Sequence, residues 1–351
     1  MFLALTERNQ RPKTQSCVSA RYTHTLSLWL KKVELKMECR NCGVESNRIK
    51  KAGFYKNRNG IVQRYFCPNC RKSFSISNNN GMRIEKEKIY MVIKLLCESS
   101  GIRAISRLTR LHQETVLKIL ELSGKISAQY AQDKIKDVKC EVVQADEIHS
   151  IVQAKDWNIH PKDPSRGSQY TFLAIDAHSR LIVNSFTGQR TVENAARFFT
   201  DLRSRVTGRF QLNTDAWRGY AGFHKNSIKT VFGKEIDHAT EEKTFWKKGQ
   251  FISKTLVKTT RKARVGNPDL GRASTSYVER MNLNLRLFNR RFTRCTLGFS
   301  KKLINLRHSI ALFSWHQNFG RKHTMLKTSP AILLGISSTI ATVQDLWNYT
   351  H

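Results

Sequence analysis

Apolar residues recur with helical spacing between residues 84 and 125, where three short helices are predicted. The first ends at Ser99-Ser100-Gly101, the second runs from Ile102 to Leu108, and the third runs from Gln113 to Leu122. Polar residues interrupt each apolar stripe well before the length of about 20 residues that a membrane span needs. This part of the chain is therefore predicted to be a small cluster of amphipathic helices.

A tight turn near Thr109–His112 separates the second and third helices. Three short helices with this turn and with basic flanks resemble a helix-turn-helix unit, which we assign to residues 81–132. In such a unit the side chains of His112, Gln113 and Lys118 face the major groove of DNA. The alternative is a helical linker that packs only on its neighbours.

From about residue 139 the apolar period falls to two, which is typical of β-strands. The predicted strands are Glu141–Asp146, Ile148–Gln153, Tyr170–Asp176, Leu181–Phe186 and Phe210–Asp215. An amphipathic helix, Val192–Val206, precedes the last strand. Strands on both sides of a helix in the sequence predict an α/β domain over 139–325 with a mixed sheet flanked by helices, followed by a tail over 326–351 with a short helix.

Two C-x-x-C pairs precede these elements, with 24 residues between them. The pairs are Cys39–Cys42 and Cys67–Cys70. Each tight turn directs two thiolates to one point, and four thiolates suit a closed tetrahedral Zn²⁺ site with a structural role. The segment between the pairs predicts a β-hairpin around Asn59-Gly60, so we predict a zinc ribbon over 37–80.

The charge balance points to a polyanionic partner. Lys and Arg number 61 against 27 Asp and Glu, a formal net charge of +34, while 40% hydrophobic residues suffice for a folded core. Nucleic acid is the leading candidate, because each phosphate contact by Lys or Arg releases counterions. An anionic membrane surface and a structural RNA are the alternatives, although neither needs catalytic acids. Residues 1–36 are basic and polar, and we expect a flexible extension.

Three acidic residues stand out because acid is scarce in this chain. Asp146 and Asp215 each end a predicted strand, and Glu279 lies at the start of a predicted helix. Carboxylates at strand ends and on an abutting helix can converge and hold two Mg²⁺ or Mn²⁺ ions about 3.5–4 Å apart, for displacement at phosphate. Strand alternation is expected to turn Glu147 to the opposite face. Taken singly, each acid also fits a strand-end cap or a surface salt bridge.

Basic residues concentrate around Glu279. Residues 241–307 contain 17 Lys and Arg against 4 Asp and Glu. Arg280, Arg286 and Arg290 lie on the predicted helix or just beyond it. Arg286 follows Glu279 by seven residues, which places both on one helix face. We expect these three arginines to contact DNA beside the metal site.

From Met37 to about Trp347 the chain resembles a transposase of the insertion-sequence-one family. Besides the cysteine pairs, the matching segments are Ala145–Ile148, Thr214–Trp217, Val278–Arg286, Phe299–Leu303 and Thr328–Ala331. The resemblance implies a ribonuclease-H-like DDE catalytic domain in which Asp146, Asp215 and Glu279 form the triad.

The same resemblance implies an enzyme that binds double-stranded DNA, namely the terminal inverted repeats of a transposon and a target. Such an enzyme cleaves and joins DNA strands in a metal-dependent reaction. The resemblance also implies a homo-oligomer without a membrane partner, located in the cytoplasm at a bacterial nucleoid. Two other functions share most of these features: a catalytically inactive, transposon-derived DNA-binding protein, and a ribonuclease-H-like nuclease that cuts without joining.

Overall fold

The computed structural model divides the chain into two compact units, Met1–Arg83 and Ile84–His351. The described residues are 37–39, 41–46, 48–57, 60–75, 82, 84–159, 163–221, 228–233, 235–248, 253–294 and 296–349. The predicted extension over 1–36 lies outside them.

The first unit is built from short strands. They are β1 (Met37–Glu38), β2 (Glu45–Ser46), β3 (Lys50–Asn57), β4 (Gly60–Phe66) and β5 (Ser73–Ser75). β1 pairs with β2, and β3 and β4 form the predicted hairpin, to which β5 adds a third antiparallel strand. The buried core holds Cys39, Cys67 and Phe74, and the ring of Tyr65 stacks on Phe74 at 5.9 Å. Because so small a core buries little apolar surface, a unit of this kind depends on a further cross-link for stability.

The second unit begins with three mutually packed helices. They are α1 (Lys86–Cys97), α2 (Ile102–Thr109) and α3 (Gln113–Lys134). The starts of α2 and α3 agree with the predicted ones, and His112 caps α3 by accepting a hydrogen bond at Nδ1 from the backbone N–H of Glu114. Arg110, in the turn, adopts a left-handed conformation with φ of 55°.

A six-stranded mixed sheet forms the centre of the second unit. Its strands are β7 (Val142–Val152), β8 (Gly167–Asp176), β9 (Ile182–Gly188), β11 (Phe210–Asp215), β12 (Ile236–Lys248) and β13 (Ser253–Val265). The spatial order is β13-β12-β11-β7-β8-β9. β7, β8 and β9 form an antiparallel meander, whereas β11 and β12 run parallel to β7 on its other side. Two short strands, β6 (Val138–Lys139) and β10 (Val206–Thr207), form a separate parallel pair.

Helices cover both faces of this sheet. They are α4 (Val192–Arg205), α5 (Arg218–Ala221), α6 (Ile228–Phe232), α7 (Ser276–Phe288), α8 (Leu303–Trp315), α9 (Pro330–Leu333) and α10 (Val343–Trp347). On one face the ring of Phe172 lies 5.7 Å from that of Phe198 in α4. On the other, Leu173 packs in a buried cluster with Leu285 of α7 and Ile310 of α8. The prediction of a mixed sheet flanked by helices is confirmed.

The third helix extends 12 residues beyond its predicted end at Leu122, as far as Lys134. Small buried residues, Ser123, Gly124 and Ser127, replace the apolar stripe in this half, which is why the helical period is hard to detect there. They let α3 approach α8 closely. A Cβ added to Gly124 would lie 2.6 Å from the Cα of His308, so the two helix backbones are in direct contact.

The strands β12 and β13 form a hairpin that extends past the sheet. β12 pairs with β11 over Ile236–Glu241, and beyond this range the described residues Glu242–Lys248 pair with β13. The sequence predicts no strand here, because apolar residues fall on neighbouring rather than alternate positions. Leu256 and Val257 are one such pair, and they are 51% and 64% exposed. The described residues 242, 244 and 256–259 are exposed, so this part of the hairpin faces solvent.

Within the described residues, no helix combines the length and the apolar character that crossing a membrane requires.

Candidate functional site

The four predicted zinc ligands converge in the first unit. The Sγ atoms of Cys39, Cys42, Cys67 and Cys70 all lie within 4.8 Å of one another, with Cys39–Cys70 at 3.7 Å and Cys42–Cys67 at 3.8 Å. A tetrahedral ion with Zn–S bonds of about 2.3 Å separates its sulfurs by about 3.8 Å, so the cluster has the size that Zn²⁺ needs. Hydrogen bonding to the backbone of Val44, and then to the Asn69 amide, lowers the pKa of Cys42 to about 7, which favours the thiolate.

Asp146 and Asp215 lie side by side on adjacent parallel strands. The register pairs Thr214 with Ala145, so the next residue on each strand, Asp215 and Asp146, are neighbours at the point where β11 ends. Glu241 on β12 is the register partner of Asp215. We call Asp146, Asp215 and Glu241, which lie on three adjacent parallel strands, the carboxylate row. Strand pairing therefore brings two predicted triad members together.

Asp146 lies in the middle of a strand and not at its end. β7 is one continuous strand, so the prediction of two segments broken after Asp146 was wrong. Consecutive acidic residues at 146 and 147 hide the strand from an alternation argument, whereas pairing with β8 continues through both positions. The element that ends at this point is β11.

Glu147 also belongs to this carboxylate cluster, which alternation alone did not predict. One carboxylate oxygen from each of Asp146, Glu147 and Asp215 lies within 4.8 Å of the other two. Glu147 does turn toward the opposite face, where its carboxylate accepts from the Tyr220 hydroxyl and pairs with Arg190. The two faces meet here because β7 continues past the end of β11, which leaves no neighbouring strand between them.

Three contacts place α7 over the row. The buried Gln144 side chain accepts at Oε1 from the backbone N–H groups of Tyr277 and Val278, which satisfies orphan donors of the first helical turn. Asn282 donates from Nδ2 to Asp146 Oδ2 at 2.8 Å. Its buried Oδ1 has no hydrogen-bond partner among the described residues. Hydrogen bonds from residues far apart in the sequence therefore hold α7 beside Asp146.

Glu279, the third predicted triad member, is not in the cluster of oxygens within 4.8 Å that the described residues form. Its Oε1 lies 2.5 Å from Lys243 Nζ and accepts from Thr275 Oγ1 at 2.8 Å. Lys243 also lies 3.5 Å from Glu241 Oε2, so one ammonium group bridges two carboxylates. The side chain of Glu279 is 46% exposed and lies on the helix that contacts Asp146.

The row carries buried negative charge that protein cations such as Arg190 and Lys243 neutralise only in part. Burial, reinforced by the charges of Glu147 and Asp215, raises the pKa of Asp146 from 3.8 to about 7. Burial is also the main cause that raises the pKa of Asp215, and the charge of Glu279 adds to it. A divalent cation would relieve this cost, and clustered carboxylate oxygens are the ligands that Mg²⁺ and Mn²⁺ prefer. The residues present therefore fit such an ion.

The residues predicted to contact DNA lie in two places in the second unit. His112, Gln113 and Lys118 are exposed near the start of α3, where Lys118 Nζ lies 3.2 Å from Glu121. Arg280 is exposed on α7 and Arg290 just after it, whereas Arg286 is half-buried. Burial lowers the pKa of Arg286, followed by the charge of Arg294, while the charge of Asp146 opposes them. The charge of Asp146 in the row therefore acts on Arg286.

Sequence reasoning missed four side chains that contact the row: Glu147, Arg190, Lys243 and Asn282. The spacing of Asn282 three residues after Glu279 could have indicated one of them, since both then share a helix face. No local signal marks Arg190 or Lys243, because each reaches the site through strand pairing or a loop.

Comparison with protein-family models and with curated proteins gives no match for this chain.

Proposed function

We propose that the protein is a DNA transposase that cleaves and joins DNA strands with the help of divalent cations. The observation that carries this proposal is the row of carboxylates across parallel strands, with Asp146 and Asp215 adjacent and α7 bound over them through Asn282. Buried, mutually repelling carboxylates are costly without cations, and they cluster here in a protein of net charge +34.

The strand order supports a ribonuclease-H-like fold for the catalytic domain. An antiparallel meander of three strands is followed by a helix and by two strands parallel to the first one, on its other side. In this arrangement Asp146, Asp215 and Glu279 come from the first strand, the fourth strand and the helix after the sheet. Glu279 lies on α7, which already contacts Asp146 through Asn282.

Bound Mg²⁺ or Mn²⁺ would supply activation of the attacking oxygen and neutralisation of charge on the leaving oxygen. Asp146 and Asp215 would hold these ions, and Glu279 would join them after release from Lys243. Asn282 orients Asp146 by donating to Oδ2, which leaves Oδ1 of Asp146 free of that bond. Arg286 would favour the approach of a phosphodiester to the row.

Two further features support duplex DNA as the substrate. The three helices α1–α3 form a compact unit whose last helix starts with exposed polar residues, as a helix-turn-helix requires. The β12–β13 hairpin is a two-stranded ribbon, which the major groove of DNA can accommodate. Its strands carry lysines at 247, 248, 254 and 258. The cysteine cluster would hold a structural zinc in a unit that helps to bind transposon ends.

The test is a cleavage and joining assay with purified protein, Mg²⁺ and duplexes made from the DNA that flanks its gene. Asp146→Asn and Asp215→Asn should each lower the rate by about 1,000-fold or more, and Glu279→Gln similarly. Glu141→Gln is the matched control, because Glu141 precedes the same strand β7 at its other end and is 82% exposed. Undiminished activity of Asp215→Asn would exclude this site.

The product distribution separates the alternatives. Cut but unjoined strands would identify a nuclease. Duplex binding by the wild-type protein without any product would identify an inactive DNA-binding protein of transposon origin.

A further inference from the structure

Arg190 contacts the carboxylate cluster on the side opposite α7. It follows β9 and directly precedes Thr191, the N-cap of α4. Its Nη2 pairs with Glu147 Oε1 and lies 3.8 Å from Asp215 Oδ2. One guanidinium nitrogen thus lies near two members of the carboxylate cluster, Glu147 and Asp215.

The carboxylate of Glu147 is fully engaged by protein groups. Oε1 pairs with Arg190, and Oε2 accepts from the Tyr220 hydroxyl. The side chain of Glu147 is 3% exposed. Tyr220 is buried as well, and burial followed by the charge of Glu147 raises its pKa well above 10, so it stays a donor. In contrast to Asp215, whose side chain is 38% exposed, Glu147 has no oxygen directed to solvent.

Aromatic rings fix the direction of the guanidinium. Arg190 lies over the ring of Trp217 at 4.5 Å and over that of Tyr170 at 5.6 Å. Trp217 in turn contacts Tyr220 edge-on at 4.8 Å. An arginine held by a buried carboxylate and stacked on a ring loses little side-chain freedom when it binds a further anion.

The guanidinium retains donors for such an anion. The side chain is 34% exposed, and Nη2 makes the contacts of Arg190 with both Glu147 and Asp215. A planar guanidinium carries five N–H donors, and two of them can bind two oxygens of one phosphate. The site is open where Asp215 is partly exposed, so an anion beside Asp215 would lie within reach of the remaining donors.

We propose that Arg190 binds the phosphodiester group that is cut at the row, and that Glu147 is its positioning residue and not a metal ligand. The inference rests on the proposed function, because it assigns a phosphate contact to the same site. It also divides the three clustered carboxylates by role: Asp146 and Asp215 face the cations, whereas Glu147 fixes the arginine.

The first experiment uses the full-length, zinc-loaded protein without DNA and measures Mn²⁺ binding by isothermal titration. Asp146→Asn should weaken Mn²⁺ binding by about tenfold or more, because it removes a ligand. Glu147→Gln, which keeps size and one acceptor, should change the dissociation constant by less than about threefold, the effect of a more distant charge. A loss in Glu147→Gln as large as that in Asp146→Asn would overturn the proposal, since Glu147 would then be a ligand.

The second experiment measures the rate of DNA cleavage by Arg190→Gln and by its matched control, Arg209→Gln. Arg209 also pairs with a largely buried carboxylate, that of Asp237, but it lies at the opposite end of β11. Arg190→Gln should slow cleavage by about 100-fold. Glu147→Gln should slow it by about tenfold, as loss of an orienting partner does. Arg209→Gln should leave the rate unchanged. Cleavage by Arg190→Gln at the wild-type rate would overturn the assignment.

Failure of the proposed function is distinguishable from failure of this inference. If the wild-type protein cuts no DNA, duplex affinity measured by fluorescence anisotropy in Ca²⁺ replaces the cleavage rate. Arg190→Gln should then reduce the slope of log affinity against log salt by about one, as loss of one phosphate contact does, and Arg209→Gln should not. Equal slopes for the two variants would reject the phosphate contact. Melting temperatures within a few degrees of wild type would show that each variant folds.

Discussion

The cysteine cluster and the carboxylate row are both candidate metal sites, yet they are built in opposite ways. The four Sγ atoms meet at distances that fit one Zn²⁺, and each pair of ligands comes from a single short turn. In the row, Asp146 and Asp215 come from separate strands, and Glu279 is held by Lys243 instead of joining them.

The difference teaches what each metal contributes. The cysteine cluster lies in a unit with a very small apolar core, so a metal bound there would be part of the fold. The row lies in a unit with a large core, where strand pairing holds the acids together against their own repulsion. Cations there would serve chemistry, and protein cations such as Lys243 and Arg190 neutralise part of the charge.

Removal of one zinc ligand should have the largest effect. Cys67→Ser should reduce bound zinc from one equivalent per chain to nearly none, because an apparent binding free energy of about 10–16 kcal/mol depends on all four thiolates. Zinc content by elemental analysis and hydrogen exchange over 37–75 would both report the loss. Cys97→Ser is the control, since Cys97 is buried in α1 of the other unit. Retention of zinc by Cys67→Ser would contradict a four-thiolate site.

In contrast to loss of a zinc ligand, removal of charge from the carboxylate row should stabilise the folded protein. Because the pKa of Asp146 is about 7 in the folded protein against 3.8 ordinarily, the folded state binds more protons between these values. Its free energy of unfolding should therefore fall as pH rises from 4 to 7, by up to about 1.4 kcal/mol per pH unit. Urea denaturation at several pH values, without divalent cations, measures this slope.

Asp146→Asn provides the reference for that experiment, because it lacks the titrating carboxyl. The difference between wild type and variant should be largest near pH 7 and should shrink when Mg²⁺ is added. Identical pH profiles for the two proteins would show that the pKa of Asp146 is not raised in the folded protein.

Lys243 should have the smallest of these effects. Lys243→Gln removes the ammonium group that holds Glu279, so Mn²⁺ binding should tighten by about three- to tenfold. Isothermal titration measures the change. Lys258→Gln is the control, because Lys258 pairs with Thr244 on the same hairpin and projects on the other face. Weaker Mn²⁺ binding by Lys243→Gln would contradict the role given to this lysine.

The sequence predicted those parts of the fold whose information is local. The start of α3, the strand β11 and the hairpin between the cysteine pairs follow from caps, alternation and turn residues. The helix predicted to start near Glu279 is local in the same way, and its residues Met281 and Leu285, four positions apart, are both buried. The two C-x-x-C spacings made the convergence of the four cysteines predictable for the same reason.

What the sequence could not predict depends on neighbours far along the chain. Beyond Glu241 the sequence of the β12–β13 hairpin lacks an alternating apolar pattern, so periodicity does not reveal its pairing. Glu147 joins the cluster because β11 ends beside it, and this follows from register alone. Lys243 reaches Glu279 across 36 residues. Each case is a contact between elements that local patterns do not encode.

The glycine contact between α3 and α8 has a consequence for distance. Because a Cβ at Gly124 would meet the backbone of His308, α3 cannot slide or rotate without displacing α8, and α8 is packed on the sheet through Ile310. The exposed start of α3 at His112 and the end of β11 at Asp215 therefore keep a constant separation. If α3 binds DNA, this separation sets the number of base pairs between the recognised sequence and the bond that is cut, so larger side chains at position 124 should make the cut position variable.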